Sequence, residues 1–111
     1  MAAQDAAAVE QLAKVLIGSS WSCTAAAYGK LPERTFTPKF TQDEPGKIII
    51  RYGVGGGNAQ AVPISPTSNG GFSWTGSTGW TNTVAPDGEG RFSGESKDPV
   101  KGAVPLSCKK I

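Results

Sequence analysis

The side chains best equipped to contact a ligand stand together in one part of this 111-residue chain: Phe72-Ser73-Trp74-Thr75-Gly76-Ser77-Thr78-Gly79-Trp80-Thr81-Asn82-Thr83, with Asp87 shortly after. Two tryptophans flank a turn of small residues, so their rings are expected close together. Apolar ring faces beside an amide and a carboxylate suit a sugar ring or another flat ligand, which makes Trp74, Trp80, Asn82 and Asp87 the candidate binding residues. The competing reading is that Phe72, Trp74 and Trp80 fill the core. Asn82 shares strand parity with Trp80 and Val84, which aims it into an apolar row where it needs a hydrogen-bond partner. A bulge at Gly79 would turn it to solvent instead.

Catalytic chemistry has little to work with. The sequence contains no histidine, so a serine or cysteine nucleophile lacks its usual base. Asp43 with Glu44, and Asp87 with Glu89, raise glycoside hydrolysis, but both pairs lie in turn-like sequence where solvated acids are ordinary. Gly53-Val54-Gly55-Gly56-Gly57-Asn58 has the glycine content of a phosphate-binding loop. Pro63 follows soon after and no Gly-Lys-Ser or Gly-Lys-Thr does, so no helix N-terminus is available and the segment reads as a turn. Two cysteines without histidine also fall short of the roughly four ligands of a structural zinc site. A non-catalytic protein without metal or cofactor is expected.

The formal charge is +2, and the basic residues are scattered, with Lys109 and Lys110 as a small basic end. Phe36, Phe40 and Tyr52 interleave with Arg34, Lys39, Lys47 and Arg51, as in single-strand nucleic-acid binders. Alternation places the aromatics with Ile48 and Ile50 on one face and Lys39, Lys47 and Arg51 on the other, so no nucleic-acid partner is expected. No run of about 18 apolar residues suggests a membrane span. Asp5, Glu10, Gln11 and Lys14 interrupt any signal-peptide core, so a secreted precursor is expected to have lost its targeting sequence already, with Met1 an added start on the mature chain.

These candidates must be positioned by one helix and a series of short strands. Val9, Leu12, Ala13 and Leu16 follow helical spacing within an alanine-rich segment, predicting a helix over 2–17 that Gly18 stops. Its apolar stripe either lies against the β region or forms a mobile, partner-binding arm. After Gly18 the period becomes two, with strands expected near 20–27, 35–41, 47–54, 60–64, 71–75, 80–84, 91–93 and 103–109. Glu44-Pro45-Gly46 suits a type II turn and so a hairpin. One domain over 1–111 is expected, with 1–18 as helix or arm and 19–111 as the β region.

Trp21, Cys23 and Ala25 share a face of the first strand, as Val104, Leu106 and Cys108 share a face of the last. Both sulfurs then point inward, predicting a Cys23–Cys108 disulfide and an oxidising compartment; two buried free thiols are the alternative. A bridge between first and last strands favours an antiparallel up-and-down barrel of about eight strands over a β-sandwich.

The segment Leu16-Ile17-Gly18-Ser19-Ser20-Trp21, a helix end running into a first strand with a tryptophan, resembles the opening of lipocalin and other calycin barrels. By shape, length and single disulfide the chain is also similar to small periplasmic barrels that inhibit metalloproteases. The second resemblance implies that the segment before Gly18 carries inhibition. The expectation is thus a mostly β, secreted or periplasmic, monomeric binding protein for a small apolar or carbohydrate ligand. The alternatives are an interaction or protease-inhibitor module using its N-terminal helix, and a structural envelope or surface protein.

Overall fold

The computed structural model describes residues 2–30, 32–53, 60–76, 79–100 and 102–111. One helix, α1 (Ala2–Leu16), precedes ten strand elements: β1 (Trp21–Ala25), β2 (Arg34–Phe36), β3 (Lys39–Glu44), β4 (Lys47–Tyr52), β5 (Gln60–Pro63), β6 (Ser65–Pro66), β7 (Phe72–Thr75), β8 (Thr81–Pro86), β9 (Arg91–Asp98) and β10 (Gly102–Lys110). The last amide of the helical ladder, that of Ile17, donates to the Ala13 carbonyl at 3.0 Å. Gly18 then turns the chain with φ +84°, a value that side-chain-bearing residues rarely adopt.

The strands form two antiparallel sheets, one of seven in the order β2-β1-β10-β9-β8-β7-β6 and one of three in the order β3-β4-β5. Prolines mark where the chain passes between them. Thr37 and Pro38 separate β2 from β3, and Pro63 and Pro66 flank the passage from β5 to β6. Proline has no N–H to give to a ladder and so favours strand ends and bends; Pro63 and Pro66 still hold register positions opposite Ile49 and Phe72. The expected strand over 35–41 is therefore two elements on two sheets. Ile64, between β5 and β6, stays tied to the smaller sheet through its amide, which donates to the Ile48 carbonyl at 3.0 Å.

The expected hairpin is present: Glu44 pairs with Lys47 across Pro45 and Gly46, and Gly46 supplies the positive φ of +79° that a type II turn requires. The first and last strands are neighbours, with Cys23 directly opposite Cys108 in the β1–β10 ladder. Their sulfurs are bonded and close a sequence separation of 85 residues.

The inward faces follow the alternation of the sequence. Trp21, Cys23, Ala25, Phe36, Phe40, Ile48, Ile50, Tyr52, Phe72, Trp74, Val84, Phe92, Val104, Leu106 and Cys108 form one buried cluster. Val9, Leu12 and Leu16 of α1 belong to the same cluster, so the helix is docked, packing beside β4 and β6. Gln42 Nε2 adds a hydrogen bond to Glu10 Oε1 at 3.1 Å. No helix among the described residues is long and apolar enough to cross a membrane.

Candidate functional site

Trp74 on β7 lies directly opposite Asn82 on β8, Asn82 opposite Ser96 on β9, and Ser96 opposite Val104 on β10. All four are buried, Asn82 at 8% exposure and Trp74 at 3%. Asn82 therefore points inward, as its parity with Val84 required, and no bulge turns it outward. Its Nδ2 donates to the Trp80 carbonyl at 3.4 Å, a long bond.

Trp74, one of the expected contact residues, lies in the buried cluster. It stacks on Phe72 at 5.6 Å, meets Tyr52 edge-on at 6.2 Å, and its Nε1 donates to Tyr52 Oη at 3.1 Å. One face is stacked, the indole N–H is satisfied and the residue is 3% exposed. Burial pushes the Tyr52 phenol above its ordinary pKa of 10.0, and the Trp74 hydrogen bond pulls the other way.

Trp80 is half-buried, and the Arg34 guanidinium carbon lies 5.1 Å from its ring centroid. That is cation–π range. Arg34 shares strand parity with the buried Phe36, which puts it on the inward face, and its Nε and Nη2 are buried without a hydrogen-bond partner.

Asp87 does not join this group. It is exposed in the turn after β8, five residues from Asn82 and so roughly 17 Å along an extended strand. Its carboxylate companion Glu89 is exposed too. Glu44 is a surface acid 3.6 Å from Lys47 Nζ. The side chain of Asp43, the companion of Glu44 in the first carboxylate pair, lies outside the described ones. Residues 54–58 of the glycine-rich segment, and Ser77 and Thr78, lie outside the described residues.

A concavity lies between α1, the β6–β7 and β8–β9 turns and the end of β10. It has a volume of about 650 Å³ and is walled by Leu12, Val15, Trp21, Pro86 and Phe92, with Lys14, Arg91, Lys110 and Glu89 also lining it. The apolar wall arises because α1 docks by one stripe. Leu12 and Leu16 enter the core, while Val15, 45% exposed, is left on the flank facing the strand ends. Trp21 is 1% exposed, and its Nε1 is buried without an acceptor. Sequence reasoning missed this site because its walls come from distant segments. The available signal was Trp21, placed just after the helix stop with its side chain directed inward.

Among the described residues, no group of three or more His, Cys, Asp or Glu is placed to hold a metal ion. No protein-family model matches the chain, and no curated protein is significantly similar to it in sequence.

Proposed function

We propose that this chain is a non-catalytic binding protein of a secreted or periplasmic setting, and that it takes a small apolar ligand with an acidic head in the groove beside α1. One observation carries the reading: the groove has about 650 Å³ of space behind an apolar wall, within the roughly 300–1,000 Å³ typical of small-molecule sites. The lining charges choose the head group, since Lys14, Arg91 and Lys110 outnumber Glu89. The disulfide supports the compartment, because such bonds persist where the surroundings are oxidising.

The same reading takes the two sheets as one barrel bent at two corners, in keeping with the calycin resemblance. If 34–44 and 60–66 each count as one bent strand, the ten elements reduce to eight, and each is paired with both of its neighbours in a ring. The arm-like inhibitor reading has less support, because Val9, Leu12 and Leu16 are already used in the chain's own core.

Titration with dodecanoate, followed by tryptophan emission, tests the proposal. Saturable binding is expected, and Val15→Trp, which fills the groove from its exposed flank, should weaken it by at least about tenfold. Absence of saturable binding, or equal affinity in the variant, would overturn the ligand assignment and favour a purely structural role.

A further inference from the structure

Arg34 presents an unfinished interaction. Its Nε and Nη2 are both buried, and neither has a hydrogen-bond partner. On a guanidinium these two nitrogens form one edge, with N–H bonds that run nearly parallel. That edge is the fork that grips two oxygens of a carboxylate or phosphate at once. Arg34 as a whole is half-buried, but leaving this edge unpaired is still costly, since its N–H groups lose water and the Trp80 face compensates only in part.

We infer that the inward edge of Arg34 is a receptor for a small flat anion, held bidentately at the guanidinium with its ring or plane against Trp80. Trp80 is the movable wall of this site: it is half-buried, whereas Trp74 is 3% exposed and packed on Phe72 and Tyr52. A ligand reaches the edge when the Trp80 ring shifts off the guanidinium. The buried Asn82 amide, bonded to the Trp80 carbonyl, adds polarity to the interior two residues along the chain. The site is distinct from the groove beside α1, whose lining includes neither Arg34 nor Trp80.

The shared chemistry is a pair of coplanar anionic oxygens, so the test uses benzoate and inorganic phosphate as separate arms, by calorimetry on the full-length disulfide-bonded chain. Saturable binding of either is expected, with benzoate alone indicating a flat carboxylate and phosphate alone a phosphoryl group. Arg34→Lys keeps the charge and loses the fork, and should weaken binding by at least about tenfold. Trp80→Leu should weaken benzoate more than phosphate, and Val15→Trp should leave both unchanged. Binding of neither anion, or full affinity in Arg34→Lys, would overturn the inference. If Arg34→Lys does not fold, unchanged benzoate affinity in Trp80→Leu would overturn it as well.

Discussion

The indole nitrogen of Trp74 reaches across the interior to the phenol oxygen of Tyr52 at 3.1 Å, joining β7 to β4 and hence the larger sheet to the smaller. Removing the acceptor leaves a buried donor unpaired. Tyr52→Phe should therefore lower unfolding free energy by about 1–3 kcal/mol, read from urea denaturation. An unchanged midpoint would mean that water or another group satisfies the indole.

The same phenol makes an alkaline prediction. Its folded pKa is raised above 10.0, chiefly by burial, so below that value it is protonated in both states and adds no pH dependence. Above it, the unfolded chain releases the proton first and is stabilised, so folding stability falls as pH rises towards the folded pKa. As pH rises above about 10, the parent should lose more stability than Tyr52→Phe. Lysine titration is common to both proteins, and equal losses would contradict the burial argument.

Cys23 and Cys108 face one another between first and last strands, and their bond spans 85 residues of chain. Chain-entropy arguments give about 4–5 kcal/mol for a loop of that length, an amount comparable with the whole stability of a small domain. Reduction should shift the urea transition strongly to lower concentration, or abolish it. A shift worth less than about 1 kcal/mol would show that the β1–β10 ladder closes the fold without help.

The helix should behave as part of the body. Leu12 and Leu16 are almost fully buried, so Leu12→Ala is expected to cost about 2–5 kcal/mol. Thermal unfolding checks this, and a loss below about 0.5 kcal/mol would return 2–17 to the status of a mobile arm.

Alternation made the inward faces of β1, β4 and β10 legible in the sequence, because a residue displaced by one position would have moved every large apolar side chain to solvent. It did not reveal the full length of β9. The expected 91–93 extends to Arg91–Asp98, since Gly94, Glu95 and Lys97 carry no strand signal and are held by ladders on both sides. Nor did it single out Ser96, which becomes a buried polar group only through its pairing with Asn82. Trp80 and Asn82 were found from their types. Alternation set Lys39, Lys47 and Arg51 opposite the aromatics and left Arg34 unassigned, although its parity with Phe36 points it inward. The α1 groove needed the docked helix, and no local pattern encodes where a helix rests.

The binding claim is tested most directly by the indole N–H resonances of the three tryptophans during titration of ¹⁵N-labelled protein with dodecanoate. The Trp21 resonance should shift progressively and saturate, because its buried N–H belongs to a residue of the groove wall, while that of Trp74 stays fixed on Tyr52. A Trp21 resonance that does not move at saturating ligand would contradict the account.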